Sequence, residues 1–465
     1  MIRMDVRTVA EITGGHLMQN GASVEFQGIS TDSRTLQPGE LFIPLRGENF
    51  DGHDYLTQAI KRGAAACLSE EMIGGLLVPV VKVKDTLRAL GDLAAAVRSQ
   101  FSGPVVGITG TSGKTTCKEM LASILSSLGP GLKSAGNYNN MIGVPLTLFG
   151  LQPEHQWAVV EMGMSARGEI ARLAEIARPN IGLVTNVGAG HLENFDGLSG
   201  VARAKGELFI SLPADGVALI NADDPEVNIL PVANSVRRVL FGTNREADVR
   251  ADKIIVHNGS VSFQLVIAGA ARRVVLPLPG RHNVINALAA AAAATVIGVG
   301  LQSIAVGLEA FQPCPGRMEL IELPGDVVVL EDSYNANPLS LRAALDALHD
   351  LGSPGRRIAV LADMLELGPS APELHQQIGA IIPERADWLF TYGKLAEDIA
   401  SGAREAGLDD HKIFSATDQD ELIVHLLELL KAGDRVLIKG SRGMRMEKVT
   451  AALRASMQKP VVNGN

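Results

Sequence analysis

Short, wholly apolar runs return along most of this chain, each followed by a stretch with the apolar spacing of a helix, and that alternation admits few folds. From Val105 the order is VVGIT, a helical stretch Lys114–Leu128, WAVVE, a helix Gly168–Ala177, IGLVTNV, a helix Leu198–Ile210 and GVALI. Runs that are apolar on both faces belong to strands covered on both sides, and strands that alternate with helices pair in parallel, so a doubly wound α/β sheet is expected. A β-richer insertion, Ala247–Leu278, precedes an alanine-rich helix beginning near Asn283. Two prolines and a glycine in Gln312-Pro313-Cys314-Pro315-Gly316 then suit a linker. Beyond it the alternation resumes: DVVVLEDS, a helix at Leu339–Leu351, RIAVLAD, a helix at Ala371–Ile382, WLFTYG, a helix at Leu395–Ala406 and RVLIKGS. The block before Ser102-Gly103-Pro104 mixes strand-like runs at Ser23–Ile29, Glu40–Leu45 and Pro79–Val83 with helices near Tyr55–Arg62 and over Asp85–Gln100.

Composition removes several function classes. Lysine and arginine total 42 against 51 aspartates and glutamates, a net charge of −9, and aromatics are 4%, so neither a phosphate-tracking surface nor a base-stacking platform for nucleic acid is expected. Cys67, Cys117 and Cys314 have neither a zinc spacing nor a disulfide pattern, as for reduced thiols in the cytoplasm. The opening MIRMDVRTVAEITGG lacks the apolar core of a signal peptide, and the most apolar run, Ala287–Leu301, falls short of the roughly 20 residues a membrane span needs. A cytoplasmic protein without membrane insertion is expected.

The chemistry concentrates after Val105–Thr109. There Gly110-Thr111-Ser112-Gly113-Lys114-Thr115-Thr116 opens a helix, and a strand, a glycine-rich loop and a helix N-terminus together hold phosphate oxygens on backbone N–H groups. Lys114 would reach the β- and γ-phosphates of ATP, and the Thr115 hydroxyl would bind Mg2+. The usual first glycine of such a loop is here Ile108, with Gly107 one residue early. Glu161 ends WAVV and His191 follows IGLVTNV in a glycine-flanked turn, both at the sheet edge where open α/β sheets bind ligands. Asn283 and Asn286 share a helix face, although Asn283 also suits an N-cap. Lys439-Gly440-Ser441-Arg442-Gly443 suits an anionic group without revealing which. The fold class is therefore α/β in three domains, 1–102, 103–312 and 313–465, with a central P-loop parallel-sheet ATPase domain and a C-terminal Rossmann-like domain.

The runs GITGTSGKTT, EMGMSARGEI, TNVGAGHLENF, ARAKGELF, GRHNVINALAA, EDSYNANP and VLIKGSRGMRM occur in that order over nearly the whole chain. On them the sequence resembles the Mur ligases, most of all those that join D-alanyl-D-alanine to UDP-N-acetylmuramoyl-tripeptide. The resemblance implies a peptide ligase that uses ATP to turn the precursor's terminal carboxylate into an acyl phosphate, which the incoming amine attacks. It implies metal binding at Thr115, Glu161, His191 and Lys205, the last as a carbamate, and ATP contacts from Gly110 to Thr116 and at Asn283, Asn286, Arg317 and Asp332. Lys114, Lys205, His191 and Arg317 would be catalytic, with Arg317 brought to the phosphates by closure of the third domain. Ser30, Thr31, Asp32, Ser33 and Arg34, with Asn139 and Asn140, correspond to the UDP-precursor site, and Asn335, Asn337 and Met364 to the dipeptide site. Met141 and Ala362 stand where glutamate and glycine are expected. A monomer is expected. A sister ligase adding a single amino acid, a folate-polyglutamate ligase, a P-loop small-molecule kinase and a slow ATP-hydrolysing regulator stay open as alternatives.

Overall fold

A computed structural model describes residues 4–18, 21–73, 75–352 and 354–457. Met1–Arg3 and the tail from 458 to 465, the two ends of the expected first and third domains, lie outside the described residues.

The alternating runs form a nine-stranded sheet. Its order is Ala270–Leu276, Ser260–Ile267, Val249–His257, Arg237–Gly242, Val217–Asn221, Ile181–Val184, Val105–Thr109, Ala158–Glu161 and Leu132–Lys133. The pairings are parallel from Leu132–Lys133 through to Val249–His257, and the last two strands add antiparallel. The β-rich insertion is thus part of the same sheet, joined where Phe241 lies opposite Val249. Every residue of Val105–Thr109 is buried, and the chain continues first to one side of it and then to the other. This is a topological switch point, which opens a crevice at the C-terminal end of the strand. Ile108 is an interior strand residue with no exposure, so the glycine loop begins only at Gly110.

Side chains of a strand alternate between faces, and each face of this sheet carries a different neighbour. Val106, Ile108 and Val159 share an apolar cluster with the helix Lys114–Leu125, the alanine-rich helix His282–Ile297 and the C-terminal residues Leu341, Ala344 and Leu345. Val105, Ala158 and Val160 face the other way, into a cluster with the N-terminal residues Val6, Leu41 and Leu68 and the helix Thr86–Ser99. The far edge strand, Ala270–Leu276, is covered by the helix Leu301–Glu309, whose Glu309 carboxylate accepts from the Val275 N–H at 3.1 Å and whose Gln302 accepts from Arg272.

The C-terminal sheet has six strands in the order Glu319–Leu323, Val327–Asp332, Arg435–Lys439, Arg357–Ala362, Trp388–Tyr392 and Ile413–Ala416, all parallel except the first. The last strand in sequence therefore sits inside the sheet and brings Lys439 opposite Asp332. The N-terminal strands are shorter than their apolar runs. Ser23–Ile29 splits into Glu25–Phe26, paired with Met4–Asp5, and Ile29–Ser30 of a five-stranded sheet, while of Glu40–Leu45 only Leu41–Phe42 pairs. No described helix is long and apolar enough to cross a membrane.

One buried cation joins the N-terminal and central units. Arg98, near the end of Thr86–Ser99, donates Nε to the Ala177 carbonyl at 2.8 Å, Nη2 to Arg178 at 2.9 Å and Nη1 to Phe101 at 2.6 Å. These carbonyls include the C-terminal end of the helix Glu169–Ala177, where a positive charge also meets the helix dipole. Arg98→Ala is expected to destabilise the chain by about 3 kcal/mol, because buried acceptors lose their donors. Thermal unfolding should show a lowered midpoint that Arg98→Lys partly restores.

Candidate active site

The glycine loop is braced by its neighbours before any ligand is considered. Gly110 has φ 148° and Gly113 φ 81°, and a Cβ at Gly113 would lie 2.3 Å from Asn286 Oδ1. The segment after strand Ile181–Val184 supplies most of the support. Thr185 Oγ1 donates to the Ser112 carbonyl at 2.6 Å, Asn186 Oδ1 accepts from the Ser112 N–H at 2.9 Å, and the Asn186 carbonyl accepts from the Thr111 N–H at 3.0 Å. Lys114 folds back so that Nζ donates to the Gly110 carbonyl at 2.7 Å and to that of Thr111 at 3.3 Å.

Thr115, one residue into the helix, donates Oγ1 to Glu161 Oε2 at 2.9 Å. Asn139 donates Nδ2 to Glu161 Oε1 at 2.9 Å, so this residue, expected at the precursor site, stands beside the buried carboxylate. Lys118, one helical turn beyond Lys114, is fully buried with Nζ 3.6 Å from Glu161 Oε2 and donates to the carbonyls of Ser134 at 2.8 Å and Gly136 at 3.2 Å. Sequence reasoning missed Lys118, because a lysine between Cys117 and Glu119 looks like an ordinary helix-surface charge.

Positive charge is in excess here. Burial pushes the Lys114 ammonium below its ordinary pKa, Glu161 opposes the shift, and Arg317 adds to it. Lys205 is 2% exposed and its ammonium forms no hydrogen bond or ion pair with any described residue; burial first, and then the charge of Lys114, push its pKa well down. Arg317 stacks its guanidinium 3.9 Å from the centre of the Tyr334 ring, with Arg442 at 5.5 Å from the same ring. Lys118 and Lys114 thus lie beside Glu161, and Lys205 and Arg317 lie within electrostatic reach of Lys114, a distribution that favours a polyanion.

The same donors fit a magnesium nucleotide. A hydroxyl and a carboxylate at the head of a phosphate loop are hard oxygen ligands, and Mg2+ is commonly held by one or two such groups together with phosphate oxygens and water. Among the described residues no group of three or more His, Cys, Asp or Glu side chains is gathered so as to hold a metal ion. His191, at φ 58° on the turn before Leu192–Asn194, has Nδ1 2.5 Å from Glu366 Oε2 of the C-terminal unit.

The other expected residues divide. Asn283 does not cap its helix, which starts at His282 after Arg281; its Nδ2 donates to the Pro279 carbonyl at 2.7 Å and its Oδ1 accepts from Asn286 at 3.0 Å. Asp332 is engaged by Lys439 Nζ at 2.5 Å and by the Met318 N–H at 3.2 Å. Lys439 also donates to the Asn335 carbonyl at 2.9 Å, so it ties two parts of its own unit together. Asn337 caps the helix Pro338–Asp350 through Oδ1 and donates Nδ2 to Ser112 Oγ at 3.0 Å, a direct bond from the third unit to the glycine loop. The Asn335 side chain is exposed, whereas Met364 is fully buried with its N–H bonded to His375 Nε2 at 2.9 Å.

In the N-terminal turn, Arg34 grips Asp32 with Nε and Nη2 at 2.9 and 2.8 Å, which lowers the Asp32 carboxyl to about 2. Ser30 Oγ donates to the Asp32 carbonyl at 3.1 Å, Thr31 is half-buried, and Ser33 is buried against Gln58 at 3.2 Å. Asn140 Oδ1 accepts from the N–H groups of Ile142 at 3.1 Å and Gly143 at 2.8 Å, in the turn that leads into the helix Gly143–Leu148.

Comparison with known proteins decides the family. The description "Mur ligase family, catalytic domain" matches residues 25–98, "Mur ligase middle domain" 108–294, and "Mur ligase, glutamate ligase domain" 316–442. The UDP-N-acetylmuramoyl-tripeptide–D-alanyl-D-alanine ligase of Escherichia coli (strain K12) is 42% identical over 459 residues, spanning 97% of this chain and 99% of the relative. The chain belongs to the Mur ligase family. Among solved Mur ligases, a crystal structure of MurF from Acinetobacter baumannii superposes with a TM-score of 0.91 at 34% identity, over 98% of this chain and 99% of that one. MurF from Thermotoga maritima in complex with ADP gives 0.83 at 28% identity, over 93% and 98%.

In this Mur ligase, Lys118→Met removes one partner of a buried ion pair, and a loss of about 3 kcal/mol is expected. Unfolding in denaturant should show it.

Proposed function

We propose that this chain joins D-alanyl-D-alanine to UDP-N-acetylmuramoyl-tripeptide with ATP, giving the pentapeptide precursor of peptidoglycan, ADP and phosphate, and that it works as a cytoplasmic monomer. The observation that carries this reading is similarity along 97% of the chain to a ligase of that name. The excess of cations near Lys114 of the glycine loop supports the ATP chemistry independently. The three-part division at 1–102, 103–312 and 313–465 belongs to the same reading.

The N–H groups of Gly110 to Thr116, with Lys114 and Arg317, hold the phosphate chain, and the side of the loop near Asn283 and Asn286 takes the nucleoside, with Asp332 holding the domain junction nearby. Thr115, Glu161, His191 and carbamylated Lys205 would hold Mg2+, which would supply charge neutralisation at the phosphates. The loop and cations orient the γ-phosphate toward the tripeptide carboxylate, so that an acyl phosphate forms and the dipeptide amine displaces phosphate from it. Arg34, Asp32 and their neighbours Ser30, Thr31 and Ser33 serve the uridine diphosphate end of the precursor. Asn139 and Asn140 shape the loop between that end and Glu161. A nearby cleft of about 330 Å³ is lined by Arg167, Glu193, Asn194, Phe195, Asp196 and Arg203, among others, so its two arginines are matched by two carboxylates. Asn335 contacts the dipeptide, and Asn337 and Met364 fix the segments around it.

Lys205 suits carbamylation because the reaction needs a neutral amine. Nζ forms a bond to the carbon of carbon dioxide and releases one proton, and burial beside Lys114 raises the neutral fraction of Nζ near neutral pH. The product is an anion on a long stem among cations.

Product mass and phosphate release, with ATP, Mg2+, tripeptide precursor and D-alanyl-D-alanine omitted one at a time, test the reaction. Ligation that proceeds without the dipeptide, or a phosphorylated end product, would overturn it. Lys114→Ala is expected to lower turnover by about a hundredfold or more with unchanged unfolding. Lys205→Arg, which keeps the charge but forms no such carbamate, should lose most activity. Bicarbonate should restore turnover of carbon-dioxide-depleted wild type and leave Lys205→Arg unaffected.

A further inference from the structure

A contact of 2.5 Å between His191 Nδ1 and Glu366 Oε2 crosses from the central to the C-terminal unit, and the backbone that carries Glu366 is held in place. Glu366 lies in the segment Asp363–Gly368, which is held from several sides. Asp363 Oδ1 accepts from Leu395 at 3.0 Å and Ala396 at 2.7 Å, Ser441 Oγ accepts from the Leu365 N–H at 2.9 Å, and His375 Nε2 accepts from that of Met364 at 2.9 Å. The Glu366 carbonyl itself accepts from the Glu193 N–H at 3.3 Å, so both ends of this residue reach the turn that carries His191. The approach is close: a Cβ at Gly368 would sit 3.1 Å from the Glu193 Cα. His191 and Glu366 both adopt positive φ, 58° and 65°, in the region L-residues visit rarely.

Two other histidines of the chain show what such a contact does to the ring. His53 has Nδ1 2.6 Å from Asp51 Oδ1, and its Nε2 accepts from the Glu70 N–H at 3.1 Å. His375 has Nδ1 2.7 Å from the Ala371 carbonyl, and its Nε2 accepts from Met364. An oxygen at Nδ1 places the proton there and leaves the Nε2 lone pair free to accept, the state a metal-binding imidazole also needs.

We infer that Glu366 is a positioning residue for His191, fixing the Nδ1–H tautomer and ring direction so that Nε2 is presented to the cation of the nucleotide site only while the C-terminal unit is docked. The inference rests on the reading of His191 as a metal ligand. It makes docking of the third unit a condition of full metal affinity, since the second partner of the histidine comes from that unit.

The test uses the full chain labelled with ¹⁵N-histidine, with His191→Gln identifying the His191 ring among the 10 histidines. Ring-nitrogen spectra should show the Nδ1–H form in wild type and a shift toward Nε2–H in Glu366→Ala, with Glu366→Gln between them. Electron paramagnetic resonance of Mn2+ with ADP should show affinity falling roughly ten- to a hundredfold in Glu366→Ala. The same tautomer balance in wild type and Glu366→Ala overturns the positioning role. A tautomer shift accompanied by wild-type Mn2+ affinity in both Glu366→Ala and His191→Gln overturns instead the reading of His191 as a ligand.

Discussion

Between Thr109 and Lys114 the backbone leaves a buried strand, reverses and enters a helix, and there is no room for a side chain at its two tightest points. A Cβ at Gly110 would lie 1.9 Å from Thr185 Oγ1, and one at Gly113 would meet Asn286. Much of the rest of the molecule sustains that turn. The strand Ile181–Val184 carries Thr185 and Asn186 into hydrogen bonds with the loop, the alanine-rich helix brings Asn286 against it, and the third unit reaches it through Asn337. Alanines at 287 and 289–294 are all buried, and their small side chains let this helix lie close along the helix Lys114–Leu125. The close packing sets the distance between Asn286 and the loop.

The electrostatics around Glu161 run against local stability. Burial first, and then like charge (Arg317 for Lys114, Lys114 for Lys205), lowers the pKa of the Lys114 and Lys205 ammonium groups, so holding them charged is unfavourable until anions arrive. Lys118 is different, because Glu161 and two carbonyls surround it. One lysine thus stabilises the resting fold, while its neighbours a turn away and across the crevice are held ready for charge. Sites that act on polyphosphates commonly hold such groups at some expense to stability.

The parts legible in the sequence are those in which chemistry and neighbours coincide along the chain. VVGIT and WAVVE declare strands because every side chain in them is buried, and the loop after VVGIT is local by nature. The departure at Ile108 also has a local cause, since that position is still strand. Contacts between remote segments were hidden. Lys118 is buried by a loop that returns some sixteen residues later, Lys439 meets Asp332 across 107 positions, and Glu366 meets a histidine of another unit. The short N-terminal strands were overdrawn for a related reason: Leu41–Leu45 is apolar because it is buried, yet only two of its residues find a ladder partner.

A sheet of nine strands presents two rims, and a rim with free backbone groups invites another molecule to add a strand of its own. At Ala270–Leu276 this molecule closes the invitation with side chains. Glu309 takes up the Val275 N–H, and Arg272 is drawn to Gln302 of the same covering helix. The opposite rim is only Leu132–Lys133, too short to template anything. Such blunted ends leave a wide, strongly apolar sheet with little that the strand of another chain could extend.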